Sequence, residues 1–169
     1  DQKAGTKVLL VLPEMVIPQA DAYEFGLDIY RNTYSSGIVD NEGVRIFVSK
    51  TDTVDATAVE LAFIPREYSM SSATIPAEAA VGWYTYKFTI PMAGACHIII
   101  MGESQYKSST TMDNFLVRER PSCPEMKNIQ VDDITAHSAT VSFADLGLTG
   151  YQVLATLAEI NPDTLDNVA

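Results

Sequence analysis

The chain has 169 residues, 47% of them hydrophobic and 20% charged, which is enough for one domain with a real core or for one domain and part of another. Twenty-two acidic residues against eleven basic ones give a net charge of −11. A surface of this charge repels phosphate backbones and anionic lipids, so nucleic acids and membrane surfaces are poor partners for it. The excess of carboxylates is compatible with a secreted protein or with a bound divalent cation.

No targeting or membrane-spanning segment is legible. Residues 7–12 are apolar, but Pro13 ends the run far short of the roughly 20 residues that a spanning helix needs. The chain begins with a polar stretch, as a mature or trimmed N-terminus would, so we expect that any export signal was removed earlier or never existed. We predict no membrane insertion.

Period-two alternation of apolar and polar residues dominates the chain and predicts antiparallel strands with one buried face. It is clearest in residues 23–31, 44–49 and 83–90. Turn-rich loops separate these stretches, which favours a sandwich or a jelly roll. The predicted core consists of Phe25, Leu27, Ile46, Val48, Phe88, Ile98, Ile100 and Phe115.

The stretch 97–101 is apolar on both faces, which predicts a central strand covered on both sides. Residues 112–118 follow as the predicted hairpin partner of residues 95–101. In that hairpin Cys96 lies opposite about residue 117, and Cys123 is left about 20 Å further along an extended chain. A disulfide between the two cysteines is therefore not favoured.

Helix is the weaker alternative. Residues 52–62 are its best candidate, with Asp55 as an N-cap, but their threonine and valine content indicates an edge strand at least as well. We expect at most one helical turn there.

A domain boundary is predicted at residues 120–124, where two prolines in four residues break strand pairing and stiffen a linker. The domains are then 1–120 and 121–169. Three alternating stretches follow the boundary, at residues 128–132, 138–143 and 151–156. Three strands cannot close two sheets, so we expect the second domain to continue beyond residue 169.

The C-terminal segment contains Pro-Ser-Cys-Pro at 121–124, Asn-Ile-Gln-Val at 128–131 and Ser-Ala-Thr-Val-Ser-Phe at 138–143. In this order these residues resemble the opening strands of a fibronectin type III domain. Phe143 takes the place of the Trp that is usual in that family. The resemblance implies a partial immunoglobulin-like sandwich, with about half of such a domain present.

Four motifs follow one another in the first 120 residues: Val-Leu-Pro at 11–13 before the strand 23–29, Arg-Ile-Phe-Val-Ser-Lys-Thr at 45–51, Trp83 before a strand ending Ile-Pro-Met-Ala-Gly at 90–94, and Met-Asp-Asn-Phe-Leu-Val at 112–117. In this order they resemble the jelly-roll modules of bacterial secreted proteins described as choice-of-anchor or cleaved-adhesin domains, and more distantly the animal MAM domain. The resemblance implies a non-catalytic adhesion or binding module of a larger secreted or cell-surface protein. The alternatives are a carbohydrate-binding module accessory to a secreted hydrolase and a structural spacer.

Catalytic motifs are not found in the sequence. His97 lies inside an apolar stretch and His137 in a turn, and no nucleophile-elbow, zincin, Walker or dinucleotide-binding motif is present. We therefore predict that the chain is not an enzyme.

A structural calcium ion is implied by the jelly-roll resemblance, because such modules often bind one near the closing strand, where Asp113 stands. Calcium takes about six to eight oxygen ligands, so Glu14, Asp40 or Asn41 would have to contribute. The alternative is that Asp113 caps a turn through a local hydrogen bond.

Tyrosines in predicted loops are the candidate ligand contacts, because a flat ring stacks on the apolar face of a sugar while polar neighbours bond its hydroxyls. They are Tyr34, Tyr68 and Tyr106, with Arg31, Arg66 and Gln105 as polar neighbours. Loop tyrosines are also common at protein–protein contacts. A protein or a glycan at the cell surface is thus the predicted ligand, and Trp83 is placed in the core or at its rim.

Overall fold

The computed structural model of the chain describes residues 5–33, 42–104, 109–121 and 129–143. It divides into two compact units, Asp1–Arg120 and Pro121–Ala169. The described residues contain no helix, and every strand pair among them is antiparallel. Two sheets of the first unit pack together around one core. The predicted all-β antiparallel sandwich is confirmed, and the jelly-roll and immunoglobulin-like assignments stay predictions.

The described residues form ten strands, numbered in chain order. They are β1 (Thr6–Val11), β2 (Met15–Ile17), β3 (Tyr23–Arg31), β4 (Gly43–Ser49), β5 (Val59–Pro65), β6 (Gly82–Thr89), β7 (Gly94–Ser104), β8 (Thr111–Glu119), β9 (Gln130–Asp132) and β10 (Thr140–Ser142). No helix in this part of the chain is long and apolar enough to cross a membrane.

The larger sheet of the first unit has the order β1-β7-β4-β5, and β2 also pairs with β7. β7 is its central strand, because β1 and β4 pair with its two edges. Ile98 and Ile100 of β7 face the main core, whereas Ile99 packs with Phe47 and Met101 on the other face. The prediction of a central strand covered on both sides is confirmed.

The smaller sheet has the order β6-β3-β8. β8 pairs with β3, for example at Phe25 and Val117, and not with β7. The predicted hairpin between residues 95–101 and 112–118 is therefore wrong, because β1 and β4 already occupy both edges of β7. Cys96 is therefore not opposite residue 117, and the separation of about 20 Å that disfavours a disulfide in that hairpin does not apply. Cys96 is a buried free thiol, and Cys123 lies outside the described residues.

Most of the predicted core residues are confirmed. Six of them are at most 1% exposed: Phe25, Leu27, Ile46, Val48, Ile98 and Ile100. Phe88 is partly buried and packs against them. The prediction that Phe115 belongs to the core is wrong, since 41% of this residue is exposed. It lies on the edge strand β8, beside a bulge where the register with β3 shifts between Gly26 and Asp28.

Arg31 ends the buried face of β3 and is itself completely buried. All five of its N–H donors have an acceptor. Nε donates to the Pro65 carbonyl (3.0 Å), Nη1 to the Pro76 carbonyl (2.9 Å) and the Tyr86 hydroxyl (3.0 Å), and Nη2 to the carbonyls of Glu67 (2.7 Å) and Met70 (2.5 Å). Four of these acceptors lie between residues 65 and 76, so Arg31 fixes the loop after β5 to the inside of the sandwich.

The described part of the second unit is a hairpin of β9 and β10, with Val131 opposite Val141. Its turn is closed by the Thr135 amide, which donates to the Ser138 carbonyl at 2.8 Å. The predicted strands around residues 128–132 and 138–143 are confirmed, and the predicted stretch 151–156 lies outside the described residues.

Candidate functional site

The outward side of the smaller sheet carries a row of aromatic side chains. Because Phe25, Leu27 and Ile29 of β3 face the core, the even-numbered residues of this strand face outward. Tyr30 lies opposite Trp83 of β6, with the ring centroids 5.6 Å apart and the planes at 60°. Trp83 is 52% exposed, so it is not a core residue and its indole is open to a ligand.

The next row along the strands is polar and lies about 7 Å from the aromatic row, two residues further along each strand. Its centre is Asp28. Oδ1 of Asp28 accepts a hydrogen bond from the Thr85 hydroxyl at 2.5 Å, and Oδ2 accepts one from the side-chain amide of Asn114 at 2.6 Å. The hydrogen bond from Thr85, which has the larger effect, and the one from Asn114 hold the pKa of Asp28 below its ordinary value. Asp28 is therefore an ionised acceptor at neutral pH, held in one orientation.

A bulge in β8 places the Asn114 amide in this row. Asn114 has a φ of 53°, in the left-handed region that asparagine tolerates better than most residues. Its backbone N–H donates to Oδ1 of Asp113 at 2.8 Å, which stabilises the local turn. We name Tyr30, Trp83, Asp28, Thr85 and Asn114 the outer-face site.

The face continues beyond the polar row with a different character. Gly26 precedes Asp28 by two residues, and the side chains of Lys87 and Leu116 lie close above it. One row further, Nε of Arg118 lies 2.8 Å from Oε1 of Glu24. Beyond the polar row the outward side is thus a mixed apolar and ion-paired surface.

None of the predicted ligand contacts that the structure describes belongs to the outer-face site. Tyr68 is in the loop after β5, where its backbone N–H donates to the Asn32 carbonyl at 3.0 Å. Arg66 is only 2% exposed, and its Nε lies 3.3 Å from Oε2 of Glu42. Tyr34 and Tyr106 lie outside the described residues. The ligand-binding role of these four residues stays a prediction.

Asp113 lies on β8 and is exposed. Its carboxylate makes the local hydrogen bond to Asn114, which is the contact expected of a turn cap. Within the described ranges no group of three or more His, Cys, Asp and Glu residues could hold a metal ion. Asp40 and Asn41 lie outside those ranges, so calcium at Asp113 stays a prediction.

The two histidines lie in different units. Nδ1 of His97 lies 3.1 Å from the Leu12 carbonyl, and Nε2 lies 3.9 Å from Oε2 of Glu14, whose side chain is 63% exposed. Because the Leu12 carbonyl can only accept, Nδ1 carries the proton in this hydrogen bond. His137 lies in the turn of the second unit, where its backbone N–H donates to the Thr135 hydroxyl at 3.2 Å. His97 thus connects β7 to the segment between β1 and β2.

No known protein family and no curated protein matches this sequence. The outer-face site is therefore judged on its geometry and chemistry. Sequence reasoning missed this site, although one signal was present. Because side chains alternate along a strand, Trp83 and Thr85 face outward if Tyr84 and Tyr86 face the core.

Proposed function

We propose that the chain is a non-catalytic binding module of a larger secreted or cell-surface protein, and that it holds glycans on the outer-face site. The observation that carries the proposal is the exposed Trp83 ring next to Tyr30, one row from the oriented carboxylate of Asp28. An aromatic platform beside fixed polar groups is the combination that sugar recognition requires.

The aromatic row supplies the apolar part of the interaction. The axial C–H bonds of a pyranose form a flat apolar patch, which loses contact with water when it lies on an indole or phenol ring. Tyr30 contacts Trp83 edge-on and so fixes the orientation of the indole before a ligand arrives. A side chain that is already ordered loses less entropy on binding, which favours affinity.

The polar row supplies orientation. A carboxylate has about four acceptor positions, and Thr85 and Asn114 occupy one on each oxygen of Asp28. The remaining positions can accept hydrogen bonds from sugar hydroxyls. Since hydrogen bonds to a charged acceptor contribute more than those to a neutral one, about 1.5 to 3 kcal/mol, Asp28 is the main polar contact that we propose.

The charge of the site favours neutral glycans. Asp28 is ionised, and the chain as a whole carries a net charge of −11. A uronic acid or a sulfated sugar would bring a second negative charge to this row, whereas a neutral polysaccharide brings only hydroxyls.

The test is binding of the full chain to a panel of immobilised neutral and acidic polysaccharides. We expect saturable binding to at least one neutral polysaccharide. Trp83→Ala should weaken it by about tenfold or more, which corresponds to about 1.4 kcal/mol. Tyr84→Phe is the matched control, because Tyr84 adjoins Trp83 on the same strand and pairs with the core-facing Ile29.

Absence of binding across the panel, or equal binding by the wild type and Trp83→Ala, would contradict the proposal. Saturable binding of a cell-surface protein instead, retained by Trp83→Ala, would favour protein adhesion through another surface.

A further inference from the structure

Strand β1 carries apolar side chains that the sandwich leaves uncovered. Val8 and Leu10 pair with Gly102 and Ile100 of β7, so they point to the same side as the core residue Ile100. Nevertheless Val8 is 67% exposed and Leu10 is 42% exposed. Leu9, which points to the other side, is 46% exposed. Three consecutive apolar residues thus face solvent on both sides of one strand.

The position of β1 in the fold explains this exposure. β5 and β6 contact each other across the sandwich, which aligns the two sheets on that flank. The larger sheet is four strands wide along its main path and the smaller one three, so β1 extends past the opposite sheet on the other flank. Phe115 of the edge strand β8 is exposed as well, at 41%. This flank of the sandwich is open within the described residues.

The two edges of the larger sheet differ. At β5, the loop that follows the strand lies against it: the Ser72 hydroxyl donates to the Phe63 carbonyl at 2.7 Å. At β1, no described strand pairs with the outer edge. An exposed apolar edge strand is a template for pairing with another strand.

We propose that β1 pairs antiparallel with β1 of a second copy of this chain, about a two-fold axis perpendicular to the sheet at Leu9. In this register Leu9 lies opposite the partner's Leu9, and Val8 lies opposite the partner's Leu10. The exposed inward-facing side chains of both copies then form one continuous apolar strip. The proposal concerns a different surface from the outer-face site and does not depend on it.

The composition of β1 suits a second copy as the occupant. β1 contains one charged residue, Lys7, and no carboxylate, in a chain with 22 acidic residues. The edge of β1 is therefore a surface where two acidic copies approach with little direct repulsion. The register about Leu9 places Lys7 opposite the partner's Val11, so no like charges face each other. A closed two-fold pair needs a patch that complements itself, and this strand provides one.

The experiment is sedimentation equilibrium of the full chain over a range of concentrations and salt. We expect a monomer–dimer equilibrium that strengthens with NaCl, because salt screens the repulsion between two chains of charge −11 each. Leu9→Lys and Leu9→Glu should each raise the dimer Kd by about tenfold or more, since like charges then meet at the axis. An equimolar mixture of the two variants should dimerise again.

Val16→Lys is the matched control, because Val16 is an apolar strand residue that is 71% exposed and lies on β2 rather than β1. It should dimerise like the wild type. A wild type that stays monomeric at every concentration would overturn the proposal, and so would Leu9→Lys dimers as tight as the wild type or a variant mixture that stays monomeric. In a monomer, the β1 amides that donate to β7 are protected from hydrogen exchange in any case. Protection of the other β1 amides, which point away from β7, would show that another segment of the same chain covers the edge, and would also overturn the proposal.

Discussion

The hydroxyl of Tyr86 accepts a hydrogen bond from Nη1 of Arg31 at 3.0 Å and donates one to Oε1 of Glu78 at 2.8 Å. Oε1 of Glu78 in turn lies 3.8 Å from Nη1 of Arg31, which brings a carboxylate close to the buried cation. The three side chains link β3, β6 and the segment between β5 and β6. A buried guanidinium is tolerated here because every donor is paired and a counter-charge is close.

Replacing Arg31 should destabilise the first unit strongly. Arg31→Met removes the cation and leaves five acceptors without their donors, which should cost about 3 to 5 kcal/mol. Arg31→Lys should cost less, because an ammonium group keeps the charge and can satisfy up to three acceptors. Urea unfolding followed by circular dichroism measures both. A loss below about 1 kcal/mol for Arg31→Met, the size of one ordinary hydrogen bond, would contradict the role assigned to Arg31.

Stability at alkaline pH should depend on Tyr86. Burial raises the pKa of Tyr86 to about 12 from an ordinary value of 10.0, with the hydrogen bond from Arg31 acting in the opposite direction. Since the folded-state pKa is raised, the stability that this group contributes is complete below pH 10.0 and is lost as the pH rises toward about 12. The free energy of unfolding should therefore fall more steeply in this window for the wild type than for Tyr86→Phe. If the free energy of unfolding fell equally with pH in the wild type and in Tyr86→Phe, this would contradict the contribution of Tyr86.

Two glycines in strands should respond differently to alanine. At Gly43 an added Cβ would lie 2.2 Å from the Ile64 carbonyl oxygen, a backbone atom that can move only if β4 and β5 separate. Gly43→Ala should cost about 1 to 3 kcal/mol or more. At Gly26 the nearest atom would be 3.6 Å away, so Gly26→Ala is the control and should stay within about 0.5 kcal/mol of the wild type. Equal melting temperatures of the two variants would contradict the close contact at Gly43.

The strand pattern made much of the fold predictable. Alternation around Phe25 and Leu27 identified β3 and its buried face, and the doubly apolar stretch around Ile98 identified the central strand β7. The sequence of residues 52–62 does not decide between a helix and an edge strand. In the structure, the strand β5 begins at Val59. Before it, the Asp55 carboxylate accepts from the Thr57 backbone N–H at 2.7 Å, which closes a turn.

Strand partners were not predictable in the same way. Nothing local in the sequence distinguishes β3 from β7 as the partner of β8, because pairing over long separations is decided by the whole sandwich. The same holds for the outer-face site. Alternation shows that Asp28 and Thr85 face outward, but only the register of β3 with β6 brings them together. The buried Arg31 was missed because a charged residue at the end of an apolar strand is usually a solvent-facing one.

The preference for neutral glycans should depend on Asp28. The wild type should bind a neutral polysaccharide more tightly than an uronic acid polymer of similar linkage. Asp28→Asn keeps the shape of the side chain but removes its charge, so it should weaken neutral binding and shift the ratio of the two Kd values toward the acidic polymer. Isothermal titration calorimetry gives both constants. A wild type that prefers the acidic polymer, or a ratio that Asp28→Asn leaves unchanged, would contradict the role of Asp28.

The most direct measurement uses the fluorescence of Trp83, which is the sole tryptophan of the chain and therefore reports on the proposed site alone. Titration of the full chain with a neutral polysaccharide that binds on the panel should change its emission in a saturable way, with the same Kd as calorimetry, because the sugar ring displaces water from the indole. Tyr84→Phe should reproduce this curve. Calorimetric binding with unchanged Trp83 emission would place the ligand elsewhere and would contradict glycan recognition by the outer-face site.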